Sequence, residues 1–311
     1  MKRICLTALL LLALTAGAAL AQDAALSDLT ARMSVPVEWT QTFEPLPIEE
    51  TVGPMPNPAN YLPDNTGYVD ESISVRIETI RAYDTTIMVA YIQIQHPSQI
   101  RTTMAGRYGS TKVVYPKFMA ERMNAVFAVN GDYFNYRKTG YLVRQGTLYR
   151  DRPDPTFDCL LIDDKGDFHI IQDPTEESVH AFVDNLDGTI INSFNFGPAL
   201  VIDGEMVLPV KYFDAGTTRK TQRMALAQLG PLSYMCVATE GPENEGSVGL
   251  TVEELVHLVY DLGAQTAYNL DGGSSSTFVL DNEKINALSA RKIRTICDIV
   301  YFATLVPEAQ E

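Results

Sequence analysis

The segment between Thr251 and Thr277 restricts the possible folds more than any other part of this 311-residue chain. Thr251 and Glu254 form a capping box at the start of a helix, and Gly263 is placed to end it. A short apolar run, Thr266–Leu270, follows and is typical of a strand. A capped amphipathic helix that leads into an apolar strand predicts a domain in which a helix covers a sheet.

Strands dominate the remaining pattern. Alternating apolar residues predict paired strands at 72–80 and 86–95, with a turn at Asp84-Thr85, and again at 223–229 and 233–239. Further strands fit 125–129, 141–143, 160–162, 168–171, 278–280 and 297–305, and short helices fit 115–123 and 178–183. Because strands outnumber helices and do not strictly alternate with them, the sequence predicts an α+β fold with a central mixed β-sheet and flanking helices.

The amino-terminal residues differ from the rest of the chain. Lys2 and Arg3 precede an apolar run with a small-residue cleavage site, so residues 1–21 are predicted to be a signal peptide. Residues 22–70 are rich in proline and are predicted to form a linker or an extended arm. The main domain is expected over residues 71–306, in a secreted, periplasmic or cell-surface protein.

The charge and the cysteines exclude several classes of protein. A net charge of −15 argues against nucleic-acid binding, which needs a basic surface, and against binding to anionic membranes. No later apolar run is long enough to span a bilayer. Cys236 and Cys297 could form a disulfide that leaves Cys159 free, or all three could be buried thiols; no close pair suggests a zinc site.

The turn after the strand at 266–270 carries chemical groups. Asp271 follows the strand directly, then come Gly272 and Gly273, and then Ser274 and Ser275. Glycines allow backbone to approach a ligand closely, and successive amides in such a turn can bind an anion. The alternative is a simple Gly/Ser turn with a hydrogen-bonded aspartate.

Several short motifs occur in a fixed order over residues 120–303. They are Asn130–Phe134, Phe196–Val201 with Gly204, Arg223–Ala227, Gly249–Thr251 with its helix, Asn269–Ser275, and Arg294. In this order they resemble the phosphodiester glycosidase family. Asp132 and Ser274 depart from the family pattern, which often has glycine at both positions, so the resemblance implies the reaction type more strongly than the substrate.

The resemblance implies an exported hydrolase that cleaves the glycosidic bond of a sugar-1-phosphodiester, such as a GlcNAc-1-phosphodiester, in a glycan or cell-envelope polymer. The leaving phosphate is a weak base and needs little protonation. The site must therefore hold the phosphate, stabilise positive charge on the sugar ring and activate water.

Three carboxylates are candidates for this chemistry. Asp271 is expected to stabilise an oxocarbenium-like centre or to act as base or nucleophile, unless it only bonds its own turn. Asp132 is the candidate partner carboxylate or a hairpin residue. Glu240, which follows the strand at 233–239, is a third candidate or a solvated loop acid.

Two arginines are candidates for the phosphate. A guanidinium fork at Arg223 is the first choice and Arg294 the second, with a surface ion pair as the alternative role for Arg223. Other phosphate or sugar contacts are assigned to the Gly272 and Gly273 amides, the Ser274 and Ser275 hydroxyls, and the Asn130 and Asn269 side chains. The hypothesis requires the loops with Asp132, Arg223, Glu240 and Asp271 to meet in one cleft.

Competing hypotheses remain open from the sequence. No cofactor is required, although Asp132, Asp271 and Glu240 could together bind a divalent cation. The absence of a Gly-x-Ser-x-Gly element disfavours a serine hydrolase. The main alternative is a non-catalytic carbohydrate-binding or envelope polysaccharide-associated protein, and another is a glycosidase of ordinary polysaccharides, which needs an acid of raised pKa.

Overall fold

The computed structural model describes residues 26, 28–31, 33, 35–211, 215–287 and 293–308; the predicted signal peptide lies outside them. The strands are β1 Gly67–Val69, β2 Ile73–Ala82, β3 Thr85–Ile94, β4 Ile100–Met104, β5 Phe127–Asn130, β6 Gly140–Arg144, β7 Thr147–Arg152, β8 Cys159–Asp163, β9 Phe168–Ile171, β10 Ile190–Phe194, β11 Ala199–Ile202, β12 Glu205–Met206, β13 Met224–Gly230, β14 Ser233–Thr239, β15 Thr266–Leu270, β16 Phe278–Leu280, β17 Glu283–Lys284 and β18 Asp298–Phe302. The α-helices are α1 Pro116–Arg122, α2 Glu176–Asn185, α3 Ala215–Thr218 and α4 Val252–Asp261.

Two large sheets pack face to face. The first has the strand order β1-β2-β3-β14-β13-β15-β11-β12, and the second has the order β17-β16-β5-β18-β4. Apolar side chains from both sheets, among them Ile92, Leu226, Phe127 and Phe302, form the largest core cluster. Burial of these side chains supplies the main stabilisation of the two-layer arrangement.

One helix covers the outer face of each sheet. Leu255, Val256 and Val259 of α4 pack with the outward side chains of the first sheet. Met119 and Ala120 of α1 pack in the same way on the second sheet. The order of layers is therefore helix, sheet, sheet, helix.

The predicted strand-rich α+β architecture is confirmed, with one correction. Every strand pairing in the described part of the chain is antiparallel, so the sheet predicted to be mixed is not. The helix of the 251–263 segment is α4, and its capping box forms: the Glu254 N–H donates to Thr251 Oγ1 at 3.1 Å, and the Thr251 N–H donates to the Glu254 carboxylate at 2.9 Å.

The proline-rich arm lies against the domain through side-chain hydrogen bonds. The Gln93 side chain bonds the Val35 carbonyl and the Val37 amide, and the Gln95 side chain bonds the Phe43 amide. Buried Arg101 donates to the carbonyl oxygens of Pro47 and Glu49 at 2.9 and 2.8 Å. Backbone groups that a regular element would pair are here satisfied by the domain's side chains.

Two smaller predictions concern the cysteines and the membrane-spanning helices. Cys159, Cys236 and Cys297 are all free and buried, so of the two alternatives left open by the sequence the structure has the buried thiols and not a Cys236–Cys297 disulfide. Within the described ranges, no helix has the length and apolar character that a bilayer crossing demands.

Candidate functional site

Loops from both sheets meet at one end of the sandwich. The segment 271–277 links β15 of the first sheet to β16 of the second. In the second sheet, β5 pairs antiparallel with both β16 and β18, so the end of β5 at Asn130 lies beside the starts of these two strands. The site is therefore built from the ends of four strands, β5, β15, β16 and β18, and the residues that flank them.

A small pocket opens at this junction. It is lined by Asn130, Gly131, Tyr133, Tyr136, Asp271, Ser275, Arg294, Thr295, Ile296, Cys297 and Asp298. Its volume of about 10 Å³ is near what a single water occupies. A sugar ring therefore enters only if side chains at the mouth move, and Tyr136, which is 59% exposed, lies there.

Asp271 is one of the two carboxylates that line this pocket. Burial raises its pKa, whereas the Ser275 hydroxyl and the charges of Arg294 and Arg137 lower it. Ser275 Oγ faces the carboxylate but makes no hydrogen bond of normal geometry within the described residues. Asp271 is thus a partly desolvated acid beside two cations, an environment common in catalytic and anion-binding sites.

Asn130 fixes the loop that carries Asp271. Its Nδ2 donates to the Asp271 carbonyl at 2.7 Å, and its Oδ1 accepts from the Thr277 amide at 3.1 Å. Asn269 is buried, and its Nδ2 donates to the Gly197 carbonyl at 2.6 Å. Both asparagine side chains thus bond the protein itself, and their contact with a phosphate or a sugar remains a prediction.

The loop amides are mostly engaged within the protein. The Gly273 N–H donates to the Gln222 carbonyl at 3.0 Å, and those of Ser275, Ser276 and Thr277 also have acceptors in the loop or on Asn130. A Cβ at Gly272 would lie 2.6 Å from the Gln222 carbonyl oxygen, so the glycine serves a close approach to β13. Most of the loop amides that were expected to bind an anion therefore already donate hydrogen bonds within the protein.

Arg294 lines the same pocket as Asp271, and its phosphate-binding role remains a prediction. Its guanidinium stands 5.6 Å from the centre of the Tyr133 ring, and the Tyr133 and Tyr136 rings stack with centroids 4.3 Å apart. Tyr133 has a left-handed backbone conformation, with φ of 71°. A stacked aromatic pair beside a cation offers one face to a sugar ring and one charge to a phosphate.

Arg137 is a second cation that sequence reasoning did not select. Its guanidinium is held 3.8 Å from the centre of the Phe157 ring and 5.0 Å from that of Phe196. Its Nη1 is buried and makes no hydrogen bond to the described residues. A buried guanidinium nitrogen without an acceptor is costly, and an anionic ligand would satisfy it.

Asp132 belongs to a buried ionic network. Arg144 Nη2 donates to Asp132 Oδ1 at 2.9 Å and to Asp298 Oδ2 at 2.7 Å, and all three side chains are at most 3% exposed. The backbone N–H of Asn195 donates to Asp132 Oδ2 at 2.7 Å. Both Asp132 oxygens thus accept hydrogen bonds within the protein. The structure favours a positioning role for Asp132 over its predicted role as the partner carboxylate of Asp271.

The side chains of two predicted residues do not line the pocket. The Arg223 Nε donates to the Leu250 carbonyl at 2.9 Å, and its Nη2 donates to the carbonyls of Gly216 and Arg219. Glu240 accepts from the Ser247 hydroxyl at 2.6 Å and lines a separate cavity of about 610 Å³. The single cleft expected for all four loops is therefore corrected: Asp132 and Asp271 approach each other, but the Arg223 and Glu240 side chains point to other partners.

The missed residues carried weak sequence signals. Arg144 follows the apolar run Tyr141–Val143, where a charge needs a buried partner. Asp298 opens the apolar strand β18 in the same way. Arg137 sits in an irregular loop after Asp132, and nothing in the local pattern marks it.

The acids do not form an evident metal site. Within the ranges described above, no three His, Cys, Asp or Glu side chains are grouped as ligands for an ion. Asp132 and Asp298 are instead bridged by a guanidinium, and Glu240 lies in another cavity.

Comparison with known proteins provides a family and a fold. A family model described as phosphodiester glycosidase matches residues 123–303. The catalytic domain of zebrafish N-acetylglucosamine-1-phosphodiester alpha-N-acetylglucosaminidase, auto-inhibited by its pro-peptide, aligns with a TM-score of 0.60 at 16% identity, over 74% of this chain and 82% of that one. A hypothetical protein from Synechocystis aligns with a TM-score of 0.54 at 15% identity, over 75% of this chain and 62% of that one. At such identities the structures show a common fold, and no curated protein sequence matches the chain.

Proposed function

The chain belongs to the phosphodiester glycosidase family, and we propose that it is an exported hydrolase that cleaves the glycosidic bond of a sugar-1-phosphodiester. The resemblance drawn from the ordered motifs is confirmed by the match over residues 123–303. The proposed substrate is a GlcNAc-1-phosphodiester-like group in a glycan or cell-envelope polymer. Export is supported by the signal-like pattern of residues 1–21.

One observation carries the proposal. The Asp271 carboxyl lies in a pocket where burial raises its pKa and where Arg294 and Arg137 are close enough to lower it. Arg137 Nη1 is buried without a hydrogen-bond partner among the described residues, and the charge of Arg137 acts on Asp271. An acid, two cations and an unsatisfied guanidinium nitrogen fit a polar, anionic ligand better than a purely structural turn.

The roles follow from what the reaction needs. Arg294 and Arg137 hold the phosphate and neutralise the charge that grows on it as the glycosidic bond breaks. Asp271 stabilises positive charge at the anomeric carbon and accepts a proton from the attacking water. The stacked rings of Tyr133 and Tyr136 form the wall against which the sugar lies. Asp132 and Asp298 act through Arg144, which they hold in place.

The cation assignment predicts a contrast between two arginines. Arg137→Lys is expected to lower kcat/KM for a sugar-1-phosphodiester by about 10–100-fold, because a lost charge-assisted hydrogen bond is worth about 1.5–3 kcal/mol. Arg223→Lys is expected to leave kcat/KM of the folded enzyme within about threefold and to lower stability instead, since its bonds go to backbone carbonyls. Steady-state kinetics and urea unfolding of both variants measure the contrast. The reverse pattern would assign phosphate binding to Arg223 instead of Arg137.

The proposed function is tested by a screen for released sugar. The protein is incubated with a series of sugar-1-phosphodiesters, including GlcNAc-1-phosphodiesters, with and without a chelator. We expect release of free sugar at equal rates in both conditions, since no cofactor is proposed. A rate that falls with chelator would assign a divalent cation to the site. Binding without release would instead identify a carbohydrate-binding protein of the cell envelope.

A further inference from the structure

An apolar groove lies beside the candidate site. Its walls are the side chains of Tyr115, Pro116, Phe118 and Ile293, together with Thr277 and Lys284. Its volume of about 360 Å³ is within the range of small-molecule pockets. We call it the apolar groove below.

The groove and the Asp271 pocket share two segments of chain. Ile293 lines the groove and the next residue, Arg294, lines the pocket. Thr277 lines the groove, and its Oγ1 donates at 3.0 Å to the carbonyl of Ser275, which lines the pocket. A substrate whose phosphate sits at Arg294 therefore has the groove as the adjacent surface for its other substituent.

The groove exposes large apolar side chains. Phe118 is 50% exposed, Tyr115 43% and Ile293 39%, and the first two rings meet edge to face with centroids 6.2 Å apart. Three such side chains together form a contiguous patch, and patches of this kind commonly mark binding sites. Covering them would be favourable in proportion to the apolar area removed from water.

The polar groups at the groove are already paired within the protein. Lys284 Nζ donates to the Ser276 carbonyl at 2.8 Å and to Asn286 Oδ1 at 2.7 Å. Lys117 Nζ pairs with Glu283 at 3.0 Å. A second sugar unit needs convergent free donors and acceptors, and these groups do not supply them. The groove therefore suits an apolar occupant.

The charge of Lys284 suits an anion next to that occupant. Its hydrogen bonds go to neutral acceptors, and it forms no ion pair with a carboxylate in the described part of the chain. Burial lowers the pKa of its ammonium to about 8, so it is mostly charged at neutral pH. A phosphodiester anion near the Ser275–Thr277 turn would compensate this charge.

We propose that the apolar groove binds the alcohol part of the substrate, and that this part is an apolar chain, which makes the substrate a sugar-1-phosphodiester of a lipid-like alcohol. The proposal rests on the proposed function, because it assigns the second substituent of the same phosphate. The sugar lies at Asp271, the phosphate at Arg294 and Arg137, and the chain runs over Phe118.

The test compares GlcNAc-1-phosphodiesters of methyl and octyl alcohol, used below the concentration at which the octyl ester forms micelles. We expect kcat/KM to be about 30-fold higher or more for the octyl ester, because each methylene buried in the groove strengthens binding. Phe118→Ala should reduce this preference to about threefold or less. Tyr260→Ala is the matched control, since Tyr260 is 41% exposed on α4 and outside the groove.

The outcomes separate this proposal from the reaction itself. Equal rates on both esters would overturn the groove assignment and leave the reaction intact. No hydrolysis of either ester would remove the reaction, and calorimetry with octyl phosphate and methyl phosphate then decides about the groove. Tighter binding of octyl phosphate that is lost in Phe118→Ala would retain a site for an apolar phosphate, and equal binding would overturn it.

Discussion

Replacing Asp271 with asparagine is expected to reduce kcat for a sugar-1-phosphodiester by about 10³-fold, within the range of general acid–base contributions. Asparagine keeps the shape of the side chain but neither accepts a proton from water nor carries negative charge toward the anomeric carbon. The loop should keep its conformation, because Asn130 holds it through the Asp271 carbonyl rather than through the carboxylate. Turnover is measured on purified variants with equal folded fractions.

The same substitution should not lower stability. Burial raises the pKa of Asp271 above its ordinary value, so the folded state disfavours the ionised form. The native protein then binds more protons than the unfolded chain between the two pKa values, and stability falls as pH rises through that interval. Asp271→Asn removes this loss, so its free energy of unfolding at pH 7 should equal or exceed that of the wild type.

Asp281→Asn is the control for this prediction. Asp281 lies in the exposed turn between β16 and β17 and has a positive φ that asparagine also adopts readily. It should leave both kcat and stability unchanged. If Asp271→Asn kept wild-type turnover, Asp271 would have no part in the mechanism.

Replacing Arg144 with methionine is expected to lower the free energy of unfolding by about 3–5 kcal/mol, the usual cost of removing one partner from a buried ionic network. Arg144 bridges Asp132 and Asp298, and its guanidinium also stands 4.5 Å from the centre of the Phe194 ring. Without it, two carboxylates would remain buried with no cation between them. Urea unfolding monitored by circular dichroism gives the difference.

The pH dependence of this loss has a defined sign. Burial is the main reason why the pKa of Asp298 is raised to about 6, and Arg144 is the main group that lowers it. Removing Arg144 raises that pKa further, so stability is greatest where the carboxyl is protonated and is lost as pH rises through about 6 and above. The penalty of Arg144→Met should therefore be larger at pH 8 than at pH 5. A constant penalty across this interval, or an equal loss in the exposed control Arg152→Met, would contradict the role of the network.

Local chemistry in the sequence was sufficient for much of the fold. The capping box at Thr251 and the apolar face of α4 predicted this helix, and period-two alternation predicted the β2–β3 and β13–β14 pairs. The sequence did not reveal that all strand pairs among the described residues are antiparallel, because the same apolar runs suit either direction. Short strands such as β12 and β17 have too few residues for any periodicity.

The site was less predictable for a physical reason. Asp271 and Arg294 lie in motifs with strong local character, and both line the pocket. Arg223 occurs in a motif too, but its guanidinium donates to the carbonyls of Leu250, Gly216 and Arg219. These acceptors come together only when the chain has folded around Arg223. Arg137 contacts Phe157 and Phe196, which are distant from it in the sequence, and its charge acts on Asp271. None of these contacts leaves a local sequence pattern.

The hydrogen bonds of the proline-rich arm have a consequence for the order of synthesis. Segment 35–53 is synthesised before Gln93, Gln95 and Arg101. The cited hydrogen bonds each join residues that are more than fifty positions apart in the sequence. During synthesis from the amino end, the hydrogen-bond partners of this segment do not yet exist. The segment therefore stays unpaired until β3 and β4 have been made and have joined their sheets, so it folds late and is accessible to proteases until then.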